Sequence, residues 1–225
     1  PFLKTTSGSV VGPLLMAELL ERNVPTVALV VGSDESIITA NNTLNTLKTL
    51  EKIAKVKKLP VVMYYEHNER NRKQSEVDRQ LQLVVSTLSV LTSRMNHGMD
   101  TRDVLNWVQF SNTTTVKPQL ALLEVFKDNE TAEETADPIS VASVYQDRDA
   151  NQVNLVPEYH TDGYCGEPSE HFTQLHFVIT IERIGKIVGG VKKTLDEYEN
   201  HRSSRVKQSS ILDDGDEEGD DILVL

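Results

Sequence analysis

The chain is poor in the residues and runs that would place it in several large classes. It has one cysteine, Cys165, in 225 residues, so no internal disulfide can form and a reducing compartment is expected. No apolar run approaches the roughly eighteen residues that cross a bilayer, and no signal peptide is expected. Positive charge is scarce: 23 Lys and Arg face 34 Asp and Glu, giving a formal net charge of −11 and a pI near 5.0. That balance argues against direct binding of nucleic acid or of a membrane surface. The familiar reactive signatures are also missing, with no Gly-Lys-Ser/Thr phosphate loop, no Gly-x-Ser-x-Gly elbow and no His-Glu-x-x-His helix. There is no internal repeat. A soluble cytosolic protein is expected, long enough for one sizeable core or two small domains.

The acids that are present are unevenly spread. Seven of them (Asp213, Asp214, Asp216, Glu217, Glu218, Asp220 and Asp221) fall in the last thirteen residues, leaving a net charge of about −4 for the rest. Four apolar residues, Ile222, Leu223, Val224 and Leu225, then end the chain. An acidic run with a greasy terminus suits a segment that docks on a basic, apolar-lined surface, and it also suits a plain solvated tail. The chain starts at Pro1 rather than Met, so further sequence is expected ahead of it.

The first half alternates helix and strand. Pro13–Glu21 has apolar residues at helical spacing and is ended by Asn23; Thr26–Val31 is a short β-branched run, the pattern of a strand buried on both faces. Thr39–Ala54 returns to helical spacing, and Leu59–Tyr65 is the next buried strand. This order predicts right-handed crossovers and a parallel sheet. Gln74–Thr92 reads as a long helix whose near-continuous apolar spacing predicts burial between two layers. A shorter helix capped by Asp100 or Thr101 runs through Trp107. In the second half, Gln119–Phe126 and Gln174–Ile181 are strand-like and Val153–Tyr159 is a weaker strand candidate. Asp137–Val144 and Glu182–His201 read as helices, and this half is expected to form a smaller mixed α/β domain on the central helix.

Four places carry candidate chemistry. The small-residue loop from Thr5 to Pro13, with Ser7, Gly8 and Ser9, opens into a helix whose free N–H groups suit either an anion or an ordinary capped turn. Asp100 and Asp103 stand three apart at a helix start, which fits capping and also fits two carboxylates orienting a water. The polar stretch from Asn68 to Lys73 follows a buried strand, the edge where ligands bind in such sheets. His160, Cys165, Glu170 and His171 are spaced too loosely for a usual zinc set, so no metal site is expected there.

Read in order, these residues resemble the tubulin/FtsZ superfamily, and within it the phage-encoded tubulins known as PhuZ. Ser7 to Pro13 looks like the second part of the family's glycine-rich phosphate loop, and Val30-Val31-Gly32 with Glu35-Ser36 is similar to its next strand and ribose-side loop. Asn96-His97-Gly98 with Asp100, Asp103-Val104 and Asn106-Trp107-Val108 looks like the loop that one subunit inserts into the next subunit's nucleotide site. Gln174 to Ile179 and the acidic-then-apolar tail match the phage members in particular.

The resemblance implies GTP and GDP as ligands, with Mg²⁺ accompanying the nucleotide. It implies that Asp100 and Asp103 polarise the attacking water beside a neighbour's γ-phosphate, that Asp78 reads guanine, and that Asn68 makes a second base contact. It implies head-to-tail self-assembly, with the tail from Asp220 and Asp221 to Leu225 docking on a neighbouring subunit, in a spindle that positions phage DNA in the cytoplasm of the infected bacterium. The division it suggests is part of a GTP-binding Rossmann-like domain over residues 1–73, a central helix over 74–95, an α/β domain over 96–205 and a tail over 206–225.

Some residues depart from the family pattern. Lys4-Thr5-Thr6 stand where the family has three glycines, and Gln74 stands where an aromatic stacks on the base, a loss of about 1 kcal/mol of stacking. The catalytic loop is one residue short. The family's strands ahead of the phosphate loop have no counterpart here, so the sheet should expose an edge. A tubulin-like body that has lost nucleotide chemistry and serves as a filament cap or adaptor is the alternative.

Overall fold

The computed structural model describes residues 8–68, 72–92, 97–165 and 172–209, the side chains of 8, 9 and 205–209 excepted. Helix α1 (Gly8–Glu21) leads into strand β1 (Val27–Ser33), helix α2 (Ile37–Lys57) and strand β2 (Val61–Asn68). The long helix α3 (Gln74–Thr92) and the short α4 (Thr101–Val108) follow. Strand β3 (Leu120–Phe126), helix α5 (Asn129–Glu133), strands β4 (Ser140–Tyr145), β5 (Tyr159–Tyr164) and β6 (Gln174–Thr180), and helix α6 (Ile184–Ser209) complete the described chain. All six strands form one sheet in the order β1-β2-β3-β6-β4-β5. The first three are parallel, β6 is antiparallel to both β3 and β4, and β5 is parallel to β4.

The central strands are buried on both faces, so their sequences are apolar without alternation. Val61, Met63, Leu120 and Leu122 join α1 and α2 in one core, with Ile184, Ile187 and Val188 of α6 packed against it. Val62, Ala121, Leu123 and Phe177 face the other way, into a core with Leu91, Met99, Val104, Trp107 and Phe110. Trp107 fixes α4 to this second face: its Nε1 donates to the Phe177 carbonyl at 3.1 Å, and the Ser140 hydroxyl donates to the Trp107 carbonyl at 3.1 Å. β1 ends the strand order among the described residues, and α1, packed on α2, leaves Val10, Val11, Leu14 and Leu15 more than half exposed.

The mixed α/β class, the parallel first half and the bounds of α3 agree with the sequence reading, and four details do not. Helix α1 begins at Gly8, with Pro13 inside it, so the small-residue loop supplies the helix's first turn. Helix α3 buries a single stripe (Val77, Leu81, Val84, Thr87 and Leu91) and leaves Leu83 and Val85 exposed, so it is not enclosed between two layers. The segment expected as a helix over Asp137–Val144 holds strand β4, every residue of it buried. Asp137 there adopts φ 47°, so the chain turns, and the residues that follow extend into a strand paired on both sides, with β5 and β6. The expected strand at Val153–Tyr159 is irregular because side chains capture its backbone: Val153 N–H donates to the Tyr145 hydroxyl (3.1 Å) and Asn154 N–H to Glu133 (2.7 Å). β5 starts only at Tyr159.

His176 sits in β6 with no solvent exposure, its Nδ1 3.0 Å from the Ser143 hydroxyl, which lies 3.1 Å from His160 Nε2. Burial, and then the charge of His160, lowers its pKa from the ordinary 6.5 to about 4. Between those pH values the unfolded chain takes up a proton that the folded chain refuses, so stability falls as pH falls, by up to roughly 3 kcal/mol from this group. Urea unfolding followed by Trp107 fluorescence should show a lower midpoint at pH 4.5 than at pH 7, and a smaller drop in His176→Gln. An equal drop in the variant would assign the effect to other groups.

Candidate functional site

Parallel strands end on one edge of their sheet, and the register of β1 with β2 sets Ser33 opposite Asn68. Just beyond Ser33, Ser36 caps α2 by accepting from Thr39 N–H, while the Thr39 hydroxyl accepts from Ser36 N–H. Between strand and cap stands Glu35, exposed, and its Oε1 accepts from Asn68 Nδ2 at 3.2 Å. A carboxylate only accepts, so the Asn68 amide must turn its nitrogen to Glu35 and its oxygen away. Asn68 is 6% exposed, and its Oδ1 has no hydrogen-bond partner among the described residues. A buried acceptor left unpaired costs about 1–3 kcal/mol, which a ligand N–H donor at this edge would recover. Gln74, exposed at the start of α3, and Asp78, half-buried one turn further on, follow the end of β2.

The same edge is pinned by Asp34, Tyr64, Tyr65, Glu66 and His67, which sequence reasoning did not single out, and by Arg72 of the polar stretch that it did. Asp34 Oδ1 lies 3.1 Å from His67 Nε2, and His67 Nδ1 lies 2.9 Å from the Tyr65 hydroxyl. Arg72 donates to Glu66 Oε2 at 2.6 Å, and the Tyr64 hydroxyl donates to Glu66 Oε1 at 2.8 Å. Burial, and then its bond to Glu66, pushes the Tyr64 pKa up to about 12, so it stays a donor. The available signal was the run Tyr64-Tyr65-Glu66-His67-Asn68, polar residues closing an apolar strand.

Asp100 and Asp103 form a reciprocal cap on α4. Asp100 Oδ1 accepts from the N–H groups of Arg102 (2.7 Å) and Asp103 (3.0 Å), and Asp103 Oδ2 accepts from Asp100 N–H (3.0 Å). Asp103 Oδ1 is 3.5 Å from the Tyr159 hydroxyl, whose pKa is raised first by burial. Asp100 is exposed, and its Oδ2 takes no hydrogen bond among the described residues. Capping, one of the two readings of this pair, is therefore present, and it holds both carboxylates at the surface.

The two clusters do not meet. Helix α4 packs on the far end of α3, where Leu88, Val90 and Leu91 join Met99, Val104 and Trp107. Leu91 is about 20 Å along the helix from Asp78 at 1.5 Å per residue. Tyr159 belongs to β5, four strands from β2, again about 20 Å at the usual strand spacing.

Gly8 and Ser9 form the first turn of α1, while Ser7 and the whole tail, including Asp220, Asp221 and Ile222 to Leu225, lie outside the described residues. Of the loose His/Cys group, His160 pairs with Ser143 and Asp162 and Cys165 is buried, while Glu170 and His171 lie outside the described residues. No group of three or more possible metal ligands gathers among the described residues.

Gly32 keeps the first cluster closed. A Cβ there would come within 2.0 Å of the Tyr65 hydroxyl oxygen and 2.9 Å of a Thr43 methyl. Thr43 is itself tied to this strand end, accepting from Ser33 N–H at 2.9 Å. Gly32→Ala should therefore destabilise the fold by about 1–3 kcal/mol, the usual cost of overpacking, read from the midpoint of chemical denaturation. An unchanged midpoint would mean that the Tyr65–His67–Asp34 chain is not held as described.

Comparison with known proteins places these features. The model of a family described as phage tubulin-like protein, C-terminal domain, matches residues 99–183. The phage tubulin-like protein of Pseudomonas phage phiKZ is 31% identical over 215 residues, which are 94% of this chain and 64% of the relative. That of Pseudomonas phage 201phi2-1 is 30% identical over 223 residues, 97% of this chain and 70% of the relative. A solved structure of the phage tubulin PhuZ with GDP aligns with TM-score 0.84 at 29% identity, covering 88% of this chain and 64% of that one. A protofilament of TubZ from bacteriophage PhiKZ aligns with TM-score 0.81 at 28% identity, covering 97% of this chain and 66% of that one. The chain thus spans just under two thirds of the length of the first of these relatives.

Proposed function

The chain belongs to the phage tubulin-like family, and on that premise we propose that it is a GTPase subunit that assembles head-to-tail and hydrolyses GTP at the contact between copies. One observation carries this reading: the nucleotide-side residues and the paired carboxylates stand at opposite ends of α3, about 20 Å apart. No single copy can bring both to one phosphate. A second copy shifted along the helix brings its Asp100 and Asp103 to the first copy's nucleotide, so that assembly completes the site.

On the nucleotide side, Gly8 and Ser9 in the first turn of α1 supply backbone N–H groups for phosphate oxygens, and Ser7, outside the described residues, is a further phosphate contact of this reading. Glu35 faces the ribose. Asn68 Oδ1 and the Asp78 carboxylate accept from the N–H donors on guanine's edge, which gives the orphaned acceptor its partner. Gln74 lies over the base. Mg²⁺ would accompany the phosphates and keep much of its water. On the opposite end, Asp100 and Asp103 orient the attacking water, and the Tyr159 hydroxyl braces Asp103. The acidic tail from Asp220 to Leu225 docks on a neighbouring copy and adds avidity to each contact. The setting is the cytoplasm of the infected bacterium, where such filaments would position phage DNA.

GTP turnover per molecule should climb with protein concentration across a tenfold range, since the site exists only in assemblies. Asp103→Asn should lower turnover by at least about tenfold while GDP affinity holds and stability falls by no more than the ~1 kcal/mol of a weakened cap. A rate per molecule that is flat in concentration, or an Asp103→Asn variant with normal turnover, would leave the carboxylates with capping alone.

Removal of Ile222 to Leu225 should raise the critical concentration for assembly several-fold, measured by light scattering. Assembly at the unaltered concentration would exclude the tail from the filament contact.

A further inference from the structure

Helix α6 reaches back to the loop between β1 and α2 with two side chains. The Tyr198 hydroxyl donates to the backbone carbonyls of Asp34 (3.1 Å) and Glu35 (2.9 Å), one hydrogen shared by two acceptors. One turn earlier, the Thr194 hydroxyl donates to Asp34 Oδ2 at 3.1 Å. The other Asp34 oxygen faces His67, which is held by Tyr65. The loop is therefore clasped from α6 on one side and from β2 on the other. Ser36 already caps α2, so these contacts are not needed to start that helix. Their effect falls on the two residues ahead of the cap, and the second of these is Glu35, the partner of Asn68.

We infer that Tyr198, seconded by Thr194, is a positioning residue for nucleotide recognition: it fixes the backbone of Glu35 so that the carboxylate stands against Asn68 and meets the ribose hydroxyls of a guanine nucleotide. This rests on the reading of Glu35 and Asn68 as nucleotide contacts. The recognition it governs is that of the sugar rather than of the base or the phosphates, because the clasped residue is the one on the ribose side. Helix α6 runs eleven residues past Tyr198, to Ser209, so a tilt of that arm reaches Glu35 through the two carbonyl bonds.

The test titrates the full chain with GDP and with 2′-deoxy-GDP, below the assembly concentration, in the wild type, Tyr198→Phe, Glu35→Gln and the double variant. The wild type should prefer GDP. Tyr198→Phe should weaken GDP about three- to tenfold, the worth of one hydrogen bond, and narrow its preference over 2′-deoxy-GDP. The double variant should bind GDP no more weakly than Glu35→Gln alone, since both changes act on one contact. A wild type that binds both nucleotides equally, or a Tyr198→Phe variant that weakens both to the same degree or neither, overturns the inference and leaves the nucleotide site standing. A wild type that binds neither nucleotide overturns the nucleotide reading itself. Should Tyr198→Phe unfold at the assay temperature, Thr194→Val is titrated in its place; the same narrowing is expected, and an unaltered preference overturns the inference.

Discussion

The parallel pairing of β1 with β2 is the constraint on which the candidate site depends. Both strands stop within one residue of each other, Ser33 beside Asn68, so the chain leaves the sheet twice at one point. That is why Glu35 and Asn68, 33 residues apart in sequence, come to share a hydrogen bond. A slip of one residue would turn Asn68 to the other face of the sheet and remove Glu35's partner. The slip is blocked because β2 alternates between two cores, with Val62 in one and Val61 and Met63 in the other. Any shift would exchange side chains fitted to different partners on both faces at once. The site inherits the rigidity of the sheet without needing a rigidity of its own.

At its other end, α3 meets a different device. The reciprocal cap of Asp100 and Asp103 sets both carboxylates against backbone N–H groups within the single chain. Ordering a side chain costs conformational entropy, and for these two that cost is met during folding of α4, so the proposed contact would not have to meet it. Trp107, locked between the Phe177 carbonyl and Ser140, keeps the whole short helix from rocking. Capping and a catalytic role are thus compatible readings of one geometry, and the first supplies the preorganisation that the second would use.

How much was legible in the sequence follows from how local each feature is. The bounds of α3 and the cap at Asp100 were readable because a 3.6-residue period and a capping box are complete within a few neighbouring positions. β4 was misread because a strand buried on both faces has no alternation to distinguish it from a buried helix, and its antiparallel partner β6 begins some thirty residues later. Glu35 and Asp78 came forward through family resemblance, and Asn68 also through its place at the end of an apolar strand; the spacing of the three carries no motif. The clasp from Thr194 and Tyr198 spans about 160 residues and uses an ordinary threonine and tyrosine on a polar helix face. No local pattern records such a contact, so only the fold could reveal it.

The strength of that clasp bounds what it can do. One shared phenol hydrogen and one hydroxyl–carboxylate bond, on half-buried surface, together amount to about 1–3 kcal/mol. That is also the usual size of a coupling between two sites. A much stronger clasp would hold α6 against any force at its far end, and a much weaker one would let Glu35 move without the helix. Coupling of this size is reciprocal. If docking of the segment beyond Ser209 favours one attitude of α6, then a nucleotide that favours the same attitude must strengthen that docking by an equal factor. The bonds from Tyr198 run to carbonyls rather than to side chains, so exchanging the residues at 34 and 35 would alter the side chains at this edge but not this link.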